Sequence, residues 1–166
     1  MSTDVNKLIA ALDSPEPASR RAAAESLSQL GQDAAPAAPA LVRACQHDDD
    51  EGLVEVVGGL LEEIGPPPAV AAPELASLLD HPHADVGYWA ATLLGRLGPA
   101  AASAAGALTA AVAHGRGLPA RERAAWALGQ IGPQARDALD ALRTAAAGAE
   151  VRLARLAREA ITAIER

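Results

Sequence analysis

Val86-Gly87-Tyr88-Trp89-Ala90-Ala91-Thr92-Leu93-Leu94-Gly95-Arg96-Leu97-Gly98 has the pattern of one amphipathic helix closed by glycine. Counting back from Leu97, positions 3, 4, 7 and 11 are Leu94, Leu93, Ala90 and Val86, the spacing of one apolar face of an α-helix. Gly98 follows as the residue that ends such a helix, because glycine takes the left-handed conformation without a side-chain clash. Pro99 then prevents the helix from continuing. The stretch also carries Tyr88 and Trp89, and the one other aromatic residue of the chain is Trp126.

Outward from this segment the pattern recurs. Apolar-glycine stops stand at Leu30-Gly31, Ile64-Gly65, Leu97-Gly98 and Ile131-Gly132, with glycines 34, 33 and 34 residues apart. Leu8, Leu41, Leu75, Leu108 and Leu142 step independently by 33, 34, 33 and 34. Two registers agreeing over five copies indicate an internal repeat. The copies run approximately 1–31, 32–65, 66–98, 99–132 and 133–166. Each holds a short Ala/Leu-rich helix (A: 38–46, 70–80, 101–113) and a longer helix of the opening type (B: 18–30, 120–131). Proline after the stop at Pro66, Pro99 and Pro133 can start the next helix. Ser14-Pro15, Asp48-Asp49-Asp50, His81-Pro82 and Gly115 with Gly117 break the A–B turns. The prediction is all-α: about ten helices in one domain spanning 1–166.

Composition agrees with this reading. The chain has 166 residues, 50% hydrophobic but only 2% aromatic and without Phe. Its core must be Ala, Leu, Val and Ile, which suits closely spaced helices better than sheets. A net charge of −7 argues against nucleic acid, which needs a basic stripe to neutralise phosphates. Cys45 is the only cysteine, so neither an internal disulfide nor a cysteine zinc cluster can form. Met1 to Leu12 lacks the apolar core of a signal peptide. No apolar run reaches the ~18 residues of a bilayer span. A cytoplasmic protein without a membrane partner is the expectation.

Arg20-Arg21-Ala22-Ala23-Ala24-Glu25-Ser26-Leu27-Ser28-Gln29-Leu30-Gly31 and Arg121-Glu122-Arg123-Ala124-Ala125-Trp126-Ala127-Leu128-Gly129-Gln130-Ile131-Gly132 resemble the B helix of HEAT-like repeats of the phycobilisome-lyase type. The resemblance extends over nearly the whole chain. It implies a right-handed α-solenoid of about five two-helix repeats, with A helices on the convex side and B helices lining a concave groove. Copy two departs from it with Leu53-Val54 at the usual Val-Arg start and with Gly58-Gly59 mid-helix, each costing about 1 kcal/mol against alanine. Close helix packing is the expected reason for Gly58. The fifth copy lacks the stop glycine and carries Arg158 where earlier copies hold Ala24, Gly58, Ala91 and Ala125. A charge at that position suits a terminal repeat with no neighbour to pack against.

Positions 1, 5, 8 and 9 back from the last apolar residue vary freely, as solvent-facing positions do. They are Gln29, Glu25, Ala22 and Arg21; Glu63, Gly59, Val56 and Glu55; Arg96, Thr92, Trp89 and Tyr88; Gln130, Trp126, Arg123 and Glu122. By the resemblance they line the groove. All three aromatics fall there in adjacent copies, and stacked helices lie ~8–10 Å apart. Tyr88, Trp89 and Trp126 are therefore the expected anchors for a partner, since Trp, Tyr and Arg dominate binding energetics. Arg96, Arg123, Glu122, Glu63 and Glu55 would add polar specificity, and Gly59 would leave a hollow beside Trp89. The alternative is that a Trp fills a gap between B helices.

The chemistry-bearing residues point to no reaction. His47, His81 and His114 share one repeat position, a full repeat apart, too far for one zinc ion whose ligand nitrogens sit at ~2.0–2.1 Å. They read instead as cations near helix C-termini. His47-Asp48-Asp49-Asp50-Glu51 lacks a complete cation-binding loop and reads as a solvated acidic turn. Cys45 aligns with Leu12, Leu79 and Val112 and reads as core. The His-Glu pairs of HEAT-like iron hydroxylases are absent. No catalytic residue, metal site or cofactor is assigned. The expectation is a non-enzymatic protein-binding scaffold or adaptor that takes another protein or a peptide segment in its groove. The alternatives are a phycobilin-lyase-like chromophore-handling subunit and, behind it, a HEAT-like DNA glycosylase.

Overall fold

Helix termini in this chain follow from where glycine and proline sit. The computed structural model describes residues 5–47 and 49–166. Its elements are α1 (Val5–Leu12), α2 (Pro17–Ser28), α3 (Ala38–Ala44), α4 (Glu51–Glu63), α5 (Ala72–Ser77), α6 (Ala84–Leu97), α7 (Ala105–His114), α8 (Leu118–Ile131), α9 (Leu139–Ala146) and α10 (Val151–Ile164). These are the five predicted A–B pairs, and no strand occurs among the described residues. Between pairs run 3-10 helices, Gly31–Ala37, Ala69–Ala71, Gly98–Ala104 and Gly132–Ala138. Ala69–Ala71 and Gly98–Ala104 take up the first residues of the A helices expected at 70–80 and 101–113, whereas Gly31–Ala37 ends just before the one expected at 38–46, which begins at Ala38.

Gly31, Gly98 and Gly132 have φ of 55°, 56° and 73°, as a helix-ending glycine requires. Gly65 does not share that conformation. Ile64 is already extended (φ −63°, ψ 138°), and Pro66-Pro67-Pro68 follow, so α4 ends without a left-handed glycine. The Gln32 side chain completes this terminus, donating to the Glu63 carbonyl and accepting from the Gly65 N–H, each at 2.7 Å.

The chain forms two compact units, Met1–Pro68 and Ala69–Arg166, whose boundary follows the triple proline. In the first, α1 packs on α2 and α3, and α4 packs on α2 and α3. In the second, α6, α8 and α10 pack in series, as do α5, α7 and α9. This is helix-pair stacking of the solenoid type within each unit. The predicted apolar face is the core: Leu53, Leu61, Val86, Ala90, Leu93, Leu94, Ala124, Ala127 and Leu128 are at most 1% exposed. Each such leucine contributes about 1.5–3 kcal/mol by leaving water. Ala24, Ala91 and Ala125 are fully buried, whereas Arg158 is exposed and donates to the Ala146 carbonyl at 2.9 Å.

The structure departs from three sequence expectations. Within the first unit a Cβ built on Gly58 or Gly59 meets no atom within 4 Å, so close helix packing inside that unit does not explain Gly58. Cys45 is only half-buried, its thiol directed at the Leu41 carbonyl. The acidic turn is not wholly solvated. Asp50 is 7% exposed, caps α4 by accepting from the Leu53 N–H at 3.1 Å, and pairs with Arg21 at 2.8 Å. That backbone hydrogen bond, reinforced by Arg21, holds its carboxyl below the usual 3.8 despite burial. Asp48 lies outside the described residues.

Candidate partner-binding face

The predicted site residues divide between the two units. Glu55, Gly59 and Glu63 lie on α4 in the first and are exposed, as the repeat positions imply. Tyr88, Trp89 and Arg96 on α6, and Glu122, Arg123 and Trp126 on α8, lie in the second.

In the second unit the B helices bring four of these side chains into one cluster. The Tyr88 and Trp89 rings meet edge to face, centroids 5.3 Å apart and planes at 83°, a favoured aromatic geometry. Arg123 lies over Tyr88, its guanidinium carbon 5.1 Å from the ring centroid, and 5.7 Å from that of Trp126. These are cation–π distances. Arg123 also donates to the Tyr88 hydroxyl at 2.9 Å. Tyr88, Trp89, Arg123, Trp126 and Arg96 all remain half-exposed.

Two positions read as solvent-facing are buried. Thr92 is 4% exposed and donates to the Tyr88 carbonyl at 2.8 Å. Glu122, expected on the exposed polar rim, is 7% exposed and pairs with Arg152 of α10 at 3.3 Å. Counting within one helix misses this, because the covering groups come from the same patch and from the next repeat.

Sequence reasoning also missed what lies beneath Trp126. A Cβ at Gly95 would overlap the indole ring, so the ring rests on the bare backbone of α6. A Cβ at Gly129 would come within 3.1–3.2 Å of Ala160 on α10. Gly95 and Gly129 share a repeat position that holds Ser28 and Glu62 in the earlier copies, and that paired glycine was the available signal. Trp126 thus partly fills an inter-helix gap while leaving part of its surface open. Its open side borders a hollow of about 170 Å³ lined by Gly129, Gln130, Leu156, Glu159, Ala160 and Ala163.

The histidines assemble nothing comparable. His114 is exposed, and His81 accepts at Nδ1 from the His83 N–H at 3.2 Å. Among the described residues no three His, Cys, Asp or Glu side chains are placed to hold a metal ion. Also among them, no helix is long and apolar enough to cross a membrane.

Residues 19–47 and 120–148 match the PBS lyase HEAT-like repeat family, each match taking in most of a B helix, the 3-10 turn and the next A helix. An engineered protein of known structure aligns with 98% of this chain and 79% of its own, at 20% identity and a TM-score of 0.61. A second engineered protein aligns with 95% and 79%, at 22% identity and 0.61. A chain in the complex of CpcE and CpcF of phycocyanin lyase from Nostoc sp. PCC7120 aligns with 99% of this chain at 26% identity and 0.63, and 66% of that chain is covered. None of the curated protein sequences matches. The described residues are all-α, and the HEAT-like repeat is matched at residues 19–47 and 120–148.

Proposed function

We propose that this protein is a non-enzymatic scaffold that binds another protein or a peptide segment through the B-helix face of its second unit. One observation carries the reading. Tyr88, Trp89, Arg123 and Trp126 form a single half-exposed cluster of three rings and a guanidinium, in a chain with no other aromatic residue. Residues of these types supply most binding energy at protein interfaces, through large rigid surfaces that lose little entropy on binding. The fold supports the reading, since stacked helix pairs present extended binding faces. So does the structural likeness to a phycocyanin lyase chain, which occurs in a complex of two proteins, CpcE with CpcF.

Affinity capture with the wild type and with Trp89→Ala tests it. Trp89 is half-exposed and meets Tyr88 edge to face, so its removal should abolish capture while leaving helicity unchanged. Equal capture by both proteins would refute the assignment.

The same likeness favours a second reading, a chromophore-handling subunit. In that case the rings would cover a tetrapyrrole, and incubation with a free bilin would give a visible absorption band that co-purifies with the protein.

A further inference from the structure

Arg123 differs from the ion-paired arginines around it. Its hydrogen bond goes to the neutral Tyr88 hydroxyl, and its faces lie against rings. Among the described residues no carboxylate is within ion-pair distance of it. The nearby acids are engaged elsewhere: Glu122 with Arg152, and Glu159 with Arg155 at 2.6 Å. In a chain of net charge −7, this cation is left without a counter-charge and held in place by packing.

We infer that Arg123 receives an Asp or Glu side chain of the bound partner, while the hollow beside Trp126 takes an apolar side chain of the same segment. This deepens, and rests on, the reading of the B-helix face as a protein-binding surface. Guanidinium carries five N–H donors in a planar fork, and Tyr88 takes one of them. The remaining edge can meet both oxygens of a carboxylate at once. The side-chain entropy such a contact costs is already spent, because the rings and the Tyr88 hydroxyl fix the guanidinium beforehand. The hollow adjoins this fork through a shared wall, Trp126, and Gly129, Leu156, Ala160 and Ala163 make most of its lining apolar. The two groups recognised therefore lie close together on the partner. They would be three or four residues apart on a helix, or two apart on an extended segment.

A phage-displayed library of random 12-residue peptides, selected on the full chain, tests this. Selected peptides are synthesised with amidated C-termini, so that only side-chain carboxylates are offered. Their affinities are then measured on the wild type, Arg123→Gln, Arg123→Lys, and Ala163→Leu, which fills the hollow. Peptides with Asp or Glu two to four residues from an aliphatic or aromatic residue should be enriched. Arg123→Gln and Ala163→Leu should each weaken them at least tenfold. Arg123→Lys, which keeps the charge but loses the fork, should weaken them less and keeps the test open if the Gln variant folds poorly. Peptides lost with Ala163→Leu but indifferent to both Arg123 variants would overturn the carboxylate assignment while leaving the binding face intact. Peptides indifferent to every substitution would overturn both.

Discussion

The indole of Trp126 occupies the space that a side chain at Gly95 would fill. This contact joins two B helices, α6 and α8, on a ring whose centroid lies 5.7 Å from the Arg123 guanidinium carbon. It has an energetic signature that separates packing from helix propensity. In an isolated helix Gly→Ala stabilises by about 1 kcal/mol, whereas forcing a methyl into an occupied site costs about 1–3 kcal/mol. Gly95→Ala should therefore destabilise the wild type by about 1 kcal/mol net. In a Trp126→Ala background the same change should stabilise by up to about 1 kcal/mol. Urea denaturation of the four proteins of this cycle reads the reversal of sign.

Gly58 and Gly59 should behave in the opposite way. Both lie inside α4 with no positive φ, and a Cβ on either meets open space. Each Gly→Ala change should raise stability by about 0.5–1 kcal/mol through helix propensity alone, measured as an upward shift in urea midpoint. A loss would mean that α4 needs its glycines for contacts or bending.

Gln32 bridges the end of α4 through two hydrogen bonds of 2.7 Å, replacing the positive-φ glycine that follows α2, α6 and α8. Gln32→Ala should cost about 1 kcal/mol, the net worth of an exposed pair of such bonds. Amide exchange should show Gly65 losing protection first.

Asp50 makes stability depend on pH. Its native carboxyl titrates below the usual 3.8, so the unfolded chain binds the extra proton as pH falls. The stabilisation is complete above about pH 5, where both states are ionised. It is lost as pH drops through the depressed native value. Asp50→Asn keeps a capping side chain but removes this titration. Its stability relative to the wild type should therefore be lowest at neutral pH and should recover below about pH 4, as read by denaturation at a series of pH values.

The repeat was legible because its determinants are local. A helix stops at Gly31, Gly98 and Gly132 for reasons contained in the few residues around each, and Leu93 or Leu128 faces inward by its place in a 3.6-residue period. The aromatic face was legible for the same reason, since Tyr88, Trp89 and Trp126 stand where the repeat tolerates any residue. What escaped depends on a second element. Glu122 is buried because Arg152 reaches it from the next repeat, and Gly95 is bare because an indole from α8 lies on it. Gly65 departs from its counterparts because three prolines and Gln32 impose another exit from α4. A single-helix periodicity carries none of that information.

Site-specific photo-crosslinking reads out whether a partner sits on the B-helix face of the second unit. A benzophenone amino acid is placed at Gln130, exposed beside Trp126, and separately at Ser103, exposed in the 3-10 helix Gly98–Ala104. Position 130 should give a discrete crosslinked partner that disappears when Trp89→Ala is added, and position 103 should give none. Crosslinking from position 103 alone, or crosslinking from position 130 that survives Trp89→Ala undiminished, would contradict that placement.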